Sequence, residues 1–310
     1  EEKRVAVHAA AVRQLLDAPG QSAHKAGGSA WEFIQHHFGE LYAVKENVAE
    51  LRKAILSLAV MGRLVPQDPN DPPASELLKE IEAEKQRMVK TGKIKKPKPL
   101  PSIKPEEVPY ALPKGWEWVR LGDVASNRLG KMLDKSKNRG NPKPYLRNTN
   151  VQWHQFALDD VKKMKFEDNE RDEFRVLPGD LLICEGGEPG RCAIWRDSKE
   201  EIYFQKAIHR VRPFSCVTSE YLQVCLTNDG GNGRMAKYFT GVTIKHLTGD
   251  KLNEYFLPLP PLTEQHRIVA RIDQLMALCD TLDYQIEVAN DKRTELLNAL
   301  MANLSKEAAQ

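Results

Sequence analysis

Toward the end of the chain, apolar or small residues recur at Ile268, Ile272, Leu275, Cys279, Leu282, Ile286, Ala289, Leu296 and Leu300. The steps alternate between four and three, Arg293 fills one seam position, and neither Gly nor Pro interrupts the run. That is the repeat of a coiled coil. The stiff stretch Leu257-Pro258-Leu259-Pro260-Pro261 precedes it, and Thr263 stands where a helix N-cap is expected. A helix from Thr263 to Leu304 would be roughly 60 Å long at the usual rise per residue. One face of such a rod has to be buried against another helix.

A candidate partner lies near the start. Helical spacing first appears at Val5, Ala9, Val12 and Leu16 and stops at Pro19-Gly20, with a polar loop expected to about Ser29. It returns at Trp31, Ile34, Phe38, Leu41, Val44, Val48, Leu51, Ile55 and Leu58. This pattern predicts one long helix over about 31–61, bent at Gly39 and ended by Gly62 and Pro66. The stretch Glu50–Leu56 loosely echoes Glu295–Met301, so the two helices could pair antiparallel, within one chain or across two. Leu51, Ile55 and Leu58 on one side, and Ile268, Ile272, Leu275, Leu282, Ile286, Leu296 and Leu300 on the other, are the expected pairing or docking positions.

A third, highly charged helix is predicted from Ser75 to about Thr91. Then Lys93, Lys95, Lys96, Lys98 and Lys104 alternate with Pro97, Pro99, Pro101, Pro105 and Pro109, which reads as an extended, solvated linker. From Leu112 the pattern shortens. Strands are expected at Trp116–Leu121, Pro144–Val151, Asp180–Cys184, Arg191–Trp195, Tyr203–Val211 and Glu254–Leu259. Helical pieces fit at Ser219–Leu226 and Gly233–Phe239. The fold class is therefore α+β: one α/β domain flanked by long helices that form an antiparallel coiled coil. The expected divisions are a helical region 1–92, a linker 93–111, the α/β domain 112–262 and a coiled-coil helix 263–310.

Composition narrows the class. With 41% hydrophobic and 29% charged residues in 310, long surface-rich helices around one modest core fit well. A net charge of +3 permits a nucleic-acid partner without requiring one. No apolar run reaches the ~18 residues of a membrane span, so no membrane partner is expected. A chain beginning at Glu1, with no signal peptide, is expected to be trimmed or processed. The five cysteines form no CxxC pair, which suits buried thiols in a reducing cytoplasm.

No catalytic set emerges. Asn70-Asp71-Pro72-Pro73 is followed by Ala74 rather than the aromatic of an amino-methyltransferase motif. Gly230-Gly231-Asn232-Gly233 lacks the Lys of a P-loop and the spacing of a dinucleotide site. Asp180 and Glu185 could open a nuclease-like metal site, but no E-x-K follows, and the histidines have no metal-ligand spacing. No metal ligand and no catalytic residue is assigned.

Basic charge is clustered instead. Arg128, Lys131, Lys135, Lys137, Arg139, Lys143 and Arg147 face a single acid, Asp134, and Gly130, Gly140 and Pro142 mark a loop. It leads into Asn148 and Asn150, whose amides could read base edges. Gln205, Lys206, His209, Arg210 and Arg212 form a second cluster on an expected strand, with Arg210 and Arg212 on one face. Thr243, Lys245 and His246 form a third, in the loop Thr240–Leu247. The acids Glu167, Asp168, Glu170, Asp172 and Glu173 are expected on a solvated face elsewhere. Three such clusters on one small domain favour double-stranded DNA as the partner. Arg147, Asn148, Asn150, Lys206, Arg210, Thr243 and Lys245 are the candidates for base reading on local chemistry.

At these residues the chain resembles the specificity subunit of type I restriction–modification systems. Leu51–Leu56 through Gly62-Arg63-Leu64-Val65-Pro66-Gln67-Asp68-Pro69-Asn70-Asp71 is similar to that family's helical region. Leu112–Asp123 resembles the entry to a target recognition domain; Pro178–Leu182, Glu185-Gly186-Gly187, Gly190-Arg191 and Leu257–Gln265 complete the likeness. The resemblance implies a subunit without catalytic activity, whose recognition domain reads one half of a split DNA site. It implies helices that set the spacing and dock methyltransferase subunits. No cofactor is expected on this chain: S-adenosylmethionine belongs to the methyltransferase partner, and ATP with magnesium to the restriction subunit that joins for cleavage. Members usually carry two recognition domains and this chain has room for one, so a homodimer is a further expectation. A helical adaptor that binds protein rather than DNA is the second reading, and a DNA-modifying enzyme the third.

Overall fold

The computed structural model describes residues 2–17, 28–92, 94, 96–134, 136–197 and 199–307. Pro19-Gly20, most of the polar loop after it, Lys93, Lys95 and Lys135 lie outside the described residues. The chain forms two compact units. One takes in the described residues up to Ala59, Arg63–Pro66 and those from Ala270 onward; the other comprises Val60–Gly62 and Gln67–Val269.

The first unit is helical. Its N-terminal part holds α1 (Glu2–Asp17), α2 (Gly28–His36), α3 (Phe38–Leu41) and α4 (Lys45–Val60). The single helix expected over 31–61 is thus broken twice, at His37 and at Tyr42–Val44. Asn47, fully buried, donates to the Leu41 carbonyl at 2.5 Å and so satisfies one of the orphan acceptors at the end of α3. Arg63 donates to the Leu15 and Leu16 carbonyls at 3.0 and 2.8 Å. A cation is thus placed where the last turn of α1 is negative.

The last helix of the chain, α10, runs from Leu262 to Glu307. Within this unit, Arg52 of α4 reaches Asp280 and Asp283, both at 2.8 Å, and Lys45 reaches Glu287 at 3.4 Å. Numbers fall along one helix as they rise along the other, so the pair is antiparallel. Val48, Ile55 and Leu58 are buried on α4, and Ile272, Cys279 and Ile286 on α10, with Leu51, Leu275 and Leu282 half-buried. The heptad positions therefore hold to Ile286. Beyond Ala289 the seam is exposed, Leu296 and Leu300 included. The facing helix begins at Lys45, opposite Glu287, and offers nothing further along to cover them.

The second unit is α+β. After α5 (Ala74–Lys90) come β1 (Glu117–Arg120), α6 (Leu121–Val124), β2 (Ala125–Leu129), β3 (Asn141–Leu146), β4 (Lys162–Phe166), α7 (Arg171–Phe174) and β5 (Leu181–Cys184). Then follow β6 (Cys192–Ile194), β7 (Tyr203–Phe204), β8 (Ile208–Pro213), α8 (Ser219–Gly231), α9 (Gly249–Glu254) and β9 (Phe256–Leu259). Strands β2-β8-β5-β6 make an antiparallel sheet, β4-β3-β7 a mixed one with β3 and β7 parallel, and β1 pairs with β9. Alternation decides the core. Leu182, Cys184, Ala193 and Ile208 of the first sheet meet Tyr145, Met164, Phe166, Tyr203 and Phe204 of the second in one buried cluster. Phe166 stacks on Tyr203 with ring centroids 4.4 Å apart.

Two sequence expectations differ from the structure. Thr263 is not the N-cap, because α10 begins at Leu262; its hydroxyl donates to Asp71 at 2.5 Å, and Arg267 joins the same carboxylate at 2.6 Å. The proline-rich stretch is not merely solvated. The Arg120 guanidinium, buried, donates to the carbonyls of Pro101 at 2.6 Å, Ser102 at 3.2 Å and Glu254 at 2.5 Å, fastening it along the domain.

The family-like motifs also meet inside this unit. Glu264, buried, accepts from the Trp116 indole at 2.9 Å and the Gln67 amide at 3.0 Å. Gln265, also buried, donates to the Cys216 and Pro260 carbonyls and accepts from the Thr218 amide. The start of the long helix is set by a net of buried polar contacts, each of which has its partner.

Candidate nucleic-acid interface

Four loops of the second unit are joined in a row by backbone hydrogen bonds. Lys206 donates to the Lys131 carbonyl at 2.7 Å, and Glu185 to the Ala207 carbonyl at 2.9 Å. Leu247 donates in turn to the Glu185 carbonyl at 2.7 Å. The row thus runs from the loop after β2, through the turn 205–207 between β7 and β8, to the loop after β5, and ends on the loop 240–247. Ala207 sits at φ 144°, a conformation that L residues rarely adopt, and its carbonyl is one of the links. Asn148 joins at the third loop, donating from its side chain to the Gly186 carbonyl at 3.5 Å. Its own carbonyl accepts from Arg191 at 3.0 Å, which fixes its backbone. A Cβ at Gly186 would lie 3.2 Å from the His246 imidazole, so the two loops pack closely here.

The rim brings together Asn148, Lys206, Thr243, Lys245 and His246 from all three sequence clusters. Lys206, Thr243, Lys245 and His246 are exposed, and neither lysine meets a carboxylate among the described residues. Arg139 is likewise exposed and donates to the Ser136 carbonyl at 2.9 Å.

Other predicted contacts are placed differently. Lys131 is buried on Glu170 and donates to the Lys165 carbonyl; Lys143 pairs with Glu201 at 2.8 Å and Arg147 with Asp160 at 2.7 Å. Lys137 stands 3.7 Å from Asp134. Asn150 is buried, taking the Arg147 amide at 2.9 Å and giving its own to the Ala157 carbonyl at 2.8 Å. His209 is fully buried, bonded through Nε2 to the Leu247 carbonyl at 2.8 Å, and burial lowers its pKa. It supports the 240–247 loop from beneath. Arg210, also buried, donates to the Arg175 carbonyl at 2.7 Å and faces the Phe204 ring; burial pushes it down to about 10. Arg212 does share that face, donating to the same carbonyl at 3.2 Å.

The acids expected on a separate solvated face are not all there: Glu170 pairs with Lys131 and Glu173 with Arg128. The segment that carries them folds back beside β2, which its sequence position did not reveal. Asp180 is buried and bidentate to Arg212, at 2.5 and 2.9 Å, and so serves the sheet. Among the described residues no cluster of His, Cys, Asp and Glu could hold a metal ion, and no helix is long and apolar enough to cross a membrane. Sequence reasoning missed Ala207 and the apolar tip residues Val242 and Ile244, and named Glu185 only as a rejected metal ligand and within a family-like motif; Glu185 and Ala207 act through backbone pairing across the fold, which no local pattern reports.

Fold and rim together define a helix-bearing α+β protein whose globular unit presents a row of linked loops. Residues 113–289 match the type I restriction modification DNA specificity domain. The chain belongs to that family. The specificity subunit of type I restriction enzyme EcoAI from Escherichia coli is 36% identical over 288 residues, covering 86% of this chain and 45% of the relative. That of EcoEI, also from Escherichia coli, is 30% identical over 280 residues, covering 87% and 47%. The chain spans about half the length of these curated relatives. Among solved structures, the HsdS subunit from Thermoanaerobacter tengcongensis is similar with a TM-score of 0.45 at 21% identity, over 81% of this chain and 52% of that one.

Proposed function

We propose that this chain is a non-catalytic DNA-specificity subunit that reads one half of a split duplex target and docks methyltransferase subunits. The carrying observation is the rim: a row of loops locked by backbone bonds, with Lys206 and Lys245 unneutralised and Asn148 held at its third loop. Locked loops lose little freedom on binding, unpaired lysines attract phosphate, and an amide reads base edges. The family match supports the same reading.

Helix α10 is the docking arm in this proposal. The exposed residues Leu296, Leu297, Leu300, Met301 and Leu304 make a stripe that needs cover, from a methyltransferase subunit or a second copy of this chain. S-adenosylmethionine would then be bound by the methyltransferase partner, and ATP with magnesium by a restriction subunit, in the cytoplasm.

The test is selection from a random duplex library by the purified chain, alone and assembled with its methyltransferase subunits, followed by sequencing of what is retained. A split motif with fixed spacing is expected, and mirrored halves would indicate two copies of this chain. No enrichment in either condition, or binding indifferent to added salt, would replace this reading with that of a protein-binding adaptor.

A further inference from the structure

We infer that the tip of the 240–246 loop is an apolar base reader: Val242, with Ile244 beside it, packs on a thymine C5-methyl group in the major groove. The inference rests on the DNA-reading function proposed above and adds to it a residue and the group it selects. Val242 is 95% exposed, more than any other large apolar side chain among the described residues, and Ile244 is 65% exposed.

Exposure alone is ordinary for a single apolar residue. Here it comes with a closed, preformed loop. Thr240 and His246 exchange two backbone hydrogen bonds, at 2.8 and 2.9 Å, which pins the base of the loop. Gly241 holds φ +89°, and a Cβ there would lie 2.2 Å from the Ile244 carbonyl oxygen, so the turn admits only glycine. With its base closed in this way, the tip holds Val242 out in solvent. Both side chains are β-branched and stiff, so burying them in a complex costs little rotamer freedom.

Position decides the partner. Leu247 is bonded to Glu185, His246 lies against Gly186, and Gly187 approaches Asn148, so the tip rises from the rim that carries Asn148 and Lys206. Lys245, next to Ile244, is exposed for a phosphate. Valine offers no hydrogen bond, and the one apolar group that base pairs present in the major groove is the thymine methyl. Lysine fixes the loop on the backbone, and Val242 then distinguishes thymine from the other bases at one position.

The experiment uses the duplex selected above and the chain assembled with its methyltransferase subunits. Each thymine of the target is replaced in turn by uracil, which removes only the methyl group, and affinity is measured for the wild type and for Val242→Ala and Ile244→Ala. One thymine should matter: its replacement weakens the wild type about three- to fivefold, the effect of burying one methyl group. The same replacement should leave Val242→Ala unchanged. A Val242→Ala loss with no sensitivity to any methyl would overturn the inference in favour of a wedge between base steps. Unchanged DNA affinity, with weaker assembly on the methyltransferase, would overturn it in favour of a protein contact. If the wild type binds no DNA selectively, the proposed function fails first and this inference with it.

Discussion

Two sets of cations in the domain, one on or just past particular strands and one on the rim loops, differ in what neutralises them. Arg128 of β2, Lys143 of β3 and Arg212 of β8 each meet a carboxylate of the domain, and Lys131 and Arg147, one residue or two past a strand, do the same. Lys206, Lys245 and Arg139, out on loops, meet none among the described residues. Register holds the paired residues beside a neighbouring strand or the segment packed over it, and acids there close the pair, whereas Lys163 and Lys165 on the outer face of the edge strand β4 meet no carboxylate among the described residues. Lys206 and Lys245 lie on loops beyond the reach of such acids, while Lys137, also on a loop, stays 3.7 Å from Asp134. Seven basic residues between Arg128 and Arg147 look like one DNA-facing patch in the sequence, yet part of that charge stabilises the fold.

The largest effect should come from breaking the most buried of these pairs. Asp180 is 2% exposed, holds Arg212 with two bonds and accepts from the Leu177 amide at 2.7 Å. Asp180→Ala leaves the Arg212 guanidinium without its carboxylate and the Leu177 amide without its acceptor, and should cost about 3 kcal/mol of stability, read by urea denaturation. DNA affinity of the protein that remains folded should not change. A variant of normal stability that binds DNA poorly would mean that Arg212 faces DNA after all.

On the loop side the outcome is expected to invert. Lys206→Ala with Lys245→Ala should leave stability within about 0.5 kcal/mol, since neither side chain is paired. DNA affinity of the assembled complex should fall on the order of tenfold at 0.1 M salt, and the log–log salt slope should become shallower by about 2. Equal loss on every sequence marks these as phosphate contacts. An unchanged salt slope would remove both lysines from the interface.

How much of this was legible depends on the range over which each feature is determined. The heptad of α10, the buried run Leu181–Cys184 and the helix from Ser219 are local periodicities, and each is found where its spacing places it. Strand β2, with Asn127 and Arg128 in its middle, read as loop because its pairing with β8 is a tertiary choice. Strand β4, Lys-Lys-Met-Lys-Phe, was missed although Met164 and Phe166 alternate inward; lysines on its outer face suit an edge strand and mask the signal. The break at Tyr42–Val44 was not visible either, because the capping of Leu41 by Asn47 is a side-chain event. For the site, residue types pointed to the right loops, but which cations remain available required knowing where Glu170, Glu173 and Glu201 fold.

The smallest expected effect sharpens the comparison at a pair nearer the surface. The Lys143 ammonium at 2.8 Å and the Arg171 guanidinium at 2.6 Å hold the Glu201 carboxyl down at about 2, against an ordinary 4.5. A carboxylate whose pKa is depressed by folding stabilises the protein above its ordinary value and loses that contribution as pH falls from there toward the folded value. The window is therefore pH 4.5 down to about 2. Water screens the pair, so the contribution should be about 1 kcal/mol. Denaturation of Glu201→Gln across this window should give a flatter pH dependence than the wild type, and a parallel curve would show that the pair contributes nothing. The same variant releases Lys143 and Arg171 from their acid. If strand-borne cations are withheld from DNA chiefly by such partners, its affinity for random duplex should rise, by less than about threefold per lysine at moderate salt. If affinity stays level, it is position on the fold rather than neutralisation that separates the two sets of cations.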